Sequence, residues 1–229
     1  MRKYLIGLFL FVSCIALVGC GSEKKEEKED SKIVGGWEIL LTDGQYNMSE
    51  DELNIFNKAV QKYTDSKLEP VVLLGRQVVA GINYMYLVKD NTKYKVAIVY
   101  NDLKNDATIT NVKDFDITNY AGKEIPKKYD EATGAWEVNS TGKALVLDDD
   151  KIGSMFDKAT SKIDSMNFNP ICVLGKQLVS GTNYAILTYG KGNNSDESVS
   201  IYVATLYVDL NENAEISYLA YINLADFNK

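Results

Sequence analysis

The sequence predicts an α+β fold made of two tandem units, each with one helix packed on a four- to five-stranded antiparallel sheet. The first observation is a repeat, because residues 77–81 recur as residues 177–181 at a constant offset of 100 positions. From Pro70 and Pro170 the match runs through fifteen aligned positions, of which eight are identical. A match of this length at one offset indicates an internal duplication. The second observation is that β-rich runs follow an amphipathic helical pattern in each copy.

Composition excludes several functions. The chain has 229 residues, a net charge of −7 and no histidine. Without a basic stripe we expect no nucleic-acid binding, and without histidine neither His-based nucleophile activation nor a His-ligated metal site is available. Cys172 aligns with Val72 in an apolar run, which predicts a small core residue instead of a reactive thiol. We therefore expect no catalytic residue, no metal and no cofactor, and we interpret Asp148, Asp149 and Asp150 as the acidic start of a helix.

The first 19 residues are typical of a secretory leader, with Arg2 and Lys3 before an apolar stretch. The leader ends in Leu17-Val18-Gly19-Cys20, which resembles the bacterial lipobox. The resemblance implies that Cys20 carries the lipid and anchors the mature protein to the outer face of a bacterial cell membrane. Ordinary secretory cleavage nearby is the alternative. Residues 20–32 lack apolar side chains beyond the cysteine, which predicts a charged, solvated tether.

The first unit is predicted over residues 33–118. Ser49 and Glu52 have the spacing of a capping box, so a helix should begin there. Pro70 excludes its continuation, and two strand-like runs follow with Gly81 at the tight turn between them. Two further strands are predicted at 92–100 and 108–117, joined by residues 101–106. The first strand is expected around Trp37, Ile39 and Leu41, and the apolar face of the helix consists of Leu53, Phe56, Val60 and Tyr63.

The second unit is predicted over residues 133–229, after a linker at 119–132. Trp136 takes the place of Trp37, and strands are expected at 201–208 and 214–222. Residues 190–197 are interpreted as an additional polar loop. The helix stripe of this unit is predicted to comprise Ile152, Phe156, Ala159, Ile163 and Met166.

The repeated hairpin motif, Gln-x-Val-x-Gly followed by Asn-Tyr, resembles the first inhibitory hairpin of the cystatins. Residues 33–37, Ile-Val-Gly-Gly-Trp, resemble the N-terminal glycine segment of plant cystatins, and a helix of suitable length lies between the two. The resemblance implies two tandem cystatin-like domains that inhibit papain-like cysteine proteases by occluding the active-site cleft with a wedge. Its implied protease-binding residues are Val34, Gly35, Gly36, Gln77, Val78, Val79, Ala80 and Gly81, with Gln177, Leu178, Val179, Ser180 and Gly181 in the second unit.

The chain departs from the family pattern in two places. The second hairpins, at 101–106 and 209–213, are polar and acidic and lack the Pro-Trp pair of many cystatins. The second unit has one glycine, Gly134, in place of two, and its N-terminal segment has no free end because the linker precedes it. We therefore expect the first unit to be the active one. The alternative function is a non-inhibitory binding or adhesion module at the cell surface on the same scaffold.

Overall fold

A computed structural model describes residues 35–39, 48–122, 134–139, 150–194 and 198–228 of the chain. These residues belong to one compact unit, Ile33–Lys229. They form an α+β fold with two antiparallel five-stranded sheets and two helices, as the sequence predicts at this level. The leader, the tether, Cys20 and Val34 lie outside the described residues, as do Leu41 of the expected first strand and the expected helix-start residues Asp148 and Asp149.

The first repeat is a meander in which each strand pairs with the next along the chain, in the order β1-β2-β3-β4-β5. A short 3-10 helix, Ile117–Asn119, follows β5, and we call it the first terminal turn. The elements are β1 (Trp37–Glu38), α1 (Glu50–Val60), β2 (Leu68–Val79), β3 (Gly81–Asp90), β4 (Lys93–Asn101) and β5 (Ala107–Asp114).

The second repeat has the same topology, with the sheet order β10-β9-β8-β7-β6. It ends in the second terminal turn, Leu224–Phe227. The elements are β6 (Glu137–Val138), α2 (Asp150–Thr160), β7 (Met166–Val179), β8 (Gly181–Gly192), β9 (Ser200–Val208) and β10 (Ala214–Ile222). The expected polar loop at 190–197 is wrong in its first part, because β8 continues to Gly192; residues 195–197 lie outside the described part.

The helices begin where the sequence predicts and end earlier than their apolar stripes. The capping box is confirmed: the Ser49 hydroxyl accepts from the Glu52 amide at 3.3 Å, and the Glu52 carboxylate accepts from the Ser49 amide at 2.7 Å. The predicted stripe of the second helix is wrong at its end, since Ile163 follows the helix and Met166 begins β7. The helical spacing of apolar residues continues by chance into β7, which is apolar because the strand itself packs in the core.

Both faces of each sheet are covered. On one face of the first sheet, Phe56 and Ala59 of α1 pack with Tyr84, Tyr86 and other strand residues. On one face of the second sheet, Phe156 and Ala159 of α2 pack in the same way. This double coverage explains why Tyr84 through Lys89 of β3 are all buried, since a strand covered on both faces has no solvent side.

The largest core cluster joins the two repeats. It combines Leu74, Met85 and Val96 of the first sheet with Leu174 and Ile201 of the second. The core therefore lies between the repeats as well as under each helix. Because neither sheet can bury this face alone, we expect each repeat to depend on the other for its stability.

The terminal turns are exchanged between the repeats. Leu224 packs against Gly75 of the first sheet, and a Cβ placed on Gly75 would lie 2.9 Å from Leu224 Cδ1. In the reciprocal contact, a Cβ on Gly175 would lie 3.3 Å from Ile117 Cδ1. The described start of the predicted linker is also packed, since the Ala121 carbonyl accepts from Thr205 Oγ1 at 2.9 Å. Residues 123–132 of that linker lie outside the described part.

Candidate functional site

Three chain segments meet at one end of the first sheet. The β2–β3 turn lies beside the β4–β5 loop, because Ile82 next to the turn pairs with Asn101 next to the loop. The N-terminal segment joins them through β1, where Trp37 pairs with Gln77. We call this end the first edge, and it consists of residues 35–37, 78–81 and 102–106.

The glutamine of the repeated motif holds the first edge together. The Gln77 side-chain amide donates to the Gly35 carbonyl at 2.7 Å, and its oxygen accepts from Asn83 Nδ2 at 2.9 Å. The Tyr100 hydroxyl donates to the Ala80 carbonyl at the tip of the turn. Gln77 and Asn83 are both part of the repeated motif, so its polar residues have a structural role inside the repeat.

The tip of the β2–β3 hairpin is apolar and exposed. Val78, Val79 and Ala80 are all exposed to solvent at the end of the hairpin. An exposed apolar tip costs solubility, and such surfaces commonly mark interaction sites. The sequence-predicted residues 77–81 thus comprise Gln77, which binds the N-terminal segment, an exposed apolar tip at 78–80, and Gly81 at the turn.

Sequence reasoning missed Leu103. It described the β4–β5 loop as polar and acidic, yet Leu103 is the most exposed large apolar residue of the described chain, with 85% of its surface accessible. The aligned Leu210 of the second repeat is 82% exposed. The signal was available in the repeat itself: each loop reads Asp-Leu, then three polar residues and Ala. A leucine at the same place in both copies of a polar loop is the sequence signal that identifies it.

A fixed loop conformation presents each leucine. Asp102 Oδ1 accepts from the amides of Lys104 and Asp106, both at 2.8 Å, and Asn105 adopts a left-handed φ of 60°. Lys62 forms an ion pair with Asp106, and its hydrogen bond holds the pKa of that carboxyl below its usual range. Asp209 repeats the arrangement in the second copy, accepting from the amides of Asn211 and Asn213 at 2.8 Å. In each loop these hydrogen bonds fix the backbone that carries the exposed leucine.

The second repeat has an equivalent edge of different composition. Gln177 donates to the Gly134 carbonyl at 2.8 Å and accepts from Asn183 at 3.0 Å. Leu178 and Leu210 are exposed, but Val179 is half-buried and Ser180 brings a hydroxyl to the tip. We call this the second edge. The exposed large apolar side chains of the second edge are Leu178 and Leu210.

The glycines of the motif have distinct roles. Gly81 has φ of +132° and Gly181 has φ of +124°, as the tight turn requires. In the N-terminal segment the left-handed residue is Gly35, with φ of +95°. Gly36, which the resemblance groups with Gly35, does not adopt a positive φ. Gly35 therefore turns the chain toward Gln77.

Comparisons with known proteins were made at the level of families, curated proteins and solved structures. No known protein family, no curated protein and no solved structure matches the chain. Within the described residues, no group of three or more His, Cys, Asp or Glu side chains could hold a metal ion. In that same part of the chain, every helix is too short or too polar to cross a membrane.

Proposed function

We propose that the protein is a membrane-anchored lipoprotein with two cystatin-like repeats, and that its first edge inhibits papain-like cysteine proteases. The observation that carries the proposal is the convergence of Gly35, the Val78–Ala80 tip and Leu103 at one end of the sheet. An inhibitor of this kind needs no chemical step of its own. It needs three adjoining segments that fill a cleft and exclude water from it.

The exposed apolar residues supply the surface that such a wedge requires. Val78, Val79 and Leu103 are exposed in the free protein, so their burial in a cleft removes apolar area from water at roughly 25 cal/mol per Å². Leu103 takes the part that the Pro-Trp pair has in many cystatins. The departure noted in the sequence is thus met by a different apolar residue on the second hairpin.

Preorganisation supports the same proposal. The Gln77–Gly35 hydrogen bond, the Tyr100–Ala80 hydrogen bond and the Asp102-centred loop hold the three segments before any partner arrives. Ordering a mobile side chain at an interface costs about 0.5–1.5 kcal/mol, and a rigid edge avoids much of this cost. The lipid on Cys20 and the tether at 20–32 would hold the edge outside the cell, where it meets exogenous proteases.

The proposal is tested by titrating papain with a soluble form that begins at Ile33. We expect stoichiometric or micromolar inhibition that is competitive with a peptide substrate. Val79→Asp and Leu103→Asp should each weaken inhibition at least tenfold, because they place an unpaired charge at the interface centre. The matched changes Val179→Asp and Leu210→Asp on the second edge should have a smaller effect.

Thermal unfolding of each variant is the control, since all four sites lie at hairpin tips. A parent protein that leaves papain and a cathepsin-type protease fully active at 100 μM would overturn the proposal. Greater loss from the second-edge variants would show that the second repeat carries the activity.

One observation favours a second function, a non-inhibitory binding module at the cell surface. The side-chain amides of Gln77 and Gln177 each donate a hydrogen bond to the N-terminal segment of their own repeat. The motif therefore has a structural explanation in each copy, without any protease. Retained binding to a surface ligand together with no protease inhibition would support this second function.

A further inference from the structure

A cleft of about 270 Å³ opens where the far end of the first sheet meets β6 of the second repeat. The proposed function of the first edge does not use it. We call it the inter-repeat cleft. Its lining combines aromatic, aliphatic and charged side chains: Lys93, Tyr94, Asp114, Phe115, Asp116, Ile117, Thr118, Trp136 and Val138.

The cleft has an apolar floor and a charged rim. Tyr94, Phe115 and Ile117 form the buried floor. Asp114 and Asp116 lie exposed on the rim with Lys93, which leaves the rim with an excess of one negative charge. Asp114 is engaged only by Lys95 at 3.9 Å among the described residues, and 77% of its side chain is accessible.

The duplication provides an internal comparison. Trp37 is the counterpart of Trp136, and its indole donates to Asn228 Oδ1 at 2.9 Å. The position aligned with Asn228 is Ala121, which has no side-chain acceptor for Trp136. The alignment rests on the terminal turns, where Asp116 and Asn223 make the same N-cap hydrogen bonds to the amides two residues on.

The counterpart surface also lacks the charges. The residues aligned with Lys93, Asp114 and Asp116 are Ser200, Tyr221 and Asn223. Trp37 of the first repeat is therefore bonded to an asparagine of the second repeat, and the three aligned positions on that side carry no charge. Trp136 of the second repeat instead borders an open cleft with carboxylates. The common fold does not require these carboxylates, because the equivalent positions near Trp37 lack them and the two sheets have the same topology.

We propose that the inter-repeat cleft binds a compact organic ammonium ion, an amine with an aromatic or aliphatic body. The floor and the Trp136 ring accept the apolar body, and aromatic faces attract a cation. Asp114 and Asp116 provide negative charge at the rim, and the positive charge of Lys93 offsets part of it. A ligand pocket of this size and composition, mainly apolar with a few polar groups at its mouth, is suited to a small molecule.

The test uses the two tryptophans as reporters in the soluble form that begins at Ile33. Trp37→Phe leaves Trp136 as the only indole, and Trp136→Phe leaves Trp37. Titration of the Trp37→Phe protein with 2-phenylethylammonium should give a saturable change in fluorescence. 2-Phenylethanol, the neutral analogue, should bind at least fivefold more weakly. The Trp136→Phe protein should give no saturable change.

Two charge variants give opposite directions in the Trp37→Phe background. Asp114→Asn should weaken binding of the ammonium about two- to threefold, and Lys93→Gln should strengthen it by a similar factor, with both effects reduced in 0.5 M salt. Both residues are exposed, and thermal unfolding checks that each variant is folded. Equal affinity for the amine and the alcohol, an unsaturated response up to 50 mM, or charge variants that leave affinity unchanged would each overturn the proposal.

Discussion

The side-chain amide of Gln77 donates a 2.7 Å hydrogen bond to the carbonyl oxygen of Gly35, and so joins the hairpin to the N-terminal segment. Gln177 makes the same bond to Gly134 at 2.8 Å. An interaction kept at both edges after the repeats diverged elsewhere points to a requirement of the fold. It also makes the position of the N-terminal segment depend on a single side chain.

Gln77→Ala should lower the free energy of unfolding by about 1 kcal/mol, because one hydrogen bond is lost and Asn83 loses its acceptor. Gln177→Ala is the matched variant and should have a similar effect on stability. If the first edge is the inhibitory one, only Gln77→Ala should also weaken papain inhibition, since it releases Gly35. Urea unfolding and inhibition assays on both variants check this, and equal loss of inhibition would contradict it.

The two left-handed glycines of the first edge should respond differently to substitution. A Cβ on Gly81 would lie 2.6 Å from the Asn101 carbonyl oxygen, whereas a Cβ on Gly35 would meet no atom within 4 Å. Gly35→Ala therefore carries only the cost of its φ, about 1 kcal/mol, and Gly81→Ala adds backbone overlap for a total of about 2–3 kcal/mol. Urea unfolding measures the difference. Equal costs would mean that the turn can relax around the new methyl group.

The shared core predicts that one repeat does not fold alone. A chain of residues 33–122 exposes the face that Leu74, Met85 and Val96 turn toward the second sheet. We expect it to bind a hydrophobic dye and to unfold without a cooperative transition, whereas residues 33–229 should unfold in one step. A cooperative transition and a native near-UV spectrum for residues 33–122 would contradict this.

Two core variants test the same coupling within the intact unit. Phe56→Ala under α1 should cost about 3–5 kcal/mol and Leu224→Ala about 2–5 kcal/mol. Leu224 belongs to the second repeat but packs on Gly75 of the first. Both variants should therefore shift one common transition. Two separate transitions, of which each variant moves only one, would show that the repeats unfold independently.

Lys89 is a buried cation whose removal should stabilise the protein. Its side chain is 2% exposed, and its Nζ has no hydrogen-bond partner among the described residues and lies 5.2 Å from the Tyr94 ring centroid. Burial lowers the pKa of Lys89, because desolvation disfavours the ammonium more than Cys172 and Glu69 favour it. Lys89→Met should raise the free energy of unfolding at pH 7 by about 1 kcal/mol, after the loss of the cation–π contact is included.

The pH dependence follows from the sign of that shift. Since the folded state holds the Lys89 proton less tightly than the unfolded state, the penalty is present at neutral pH. It is relieved as pH rises through the lowered pKa toward the ordinary lysine value. The stability difference between Lys89→Met and the parent should therefore shrink in alkaline solution. Burial raises the pKa of Cys172 to about 12 even though Lys89 lowers it, so the folded thiol stays neutral up to pH 10 with or without Lys89 and does not enter the difference. A constant difference from pH 7 to 10 would contradict the assignment to Lys89.

Local signals allowed much of this fold to be predicted. Ser49 and Glu52 marked a helix start, Gly81 marked a tight turn, and the offset between Gln77 and Gln177 revealed the duplication from the order of amino acids alone. Each depends on residues close in the chain or on a simple comparison of the chain with itself. Local backbone preferences and hydrogen bonds do not need the rest of the molecule. The apolar tip of the first edge followed from the same motif.

The tertiary structure alone decided how the two copies combine. Nothing in the spacing of Leu224 or Ile117 shows that each packs on the sheet of the other repeat. No local pattern shows that Gln77 reaches Gly35 or that Trp136 borders a cleft. These contacts join residues far apart in sequence. Their geometry arises because each sheet has two apolar faces and only one helix, so the second face of each must be buried against the other.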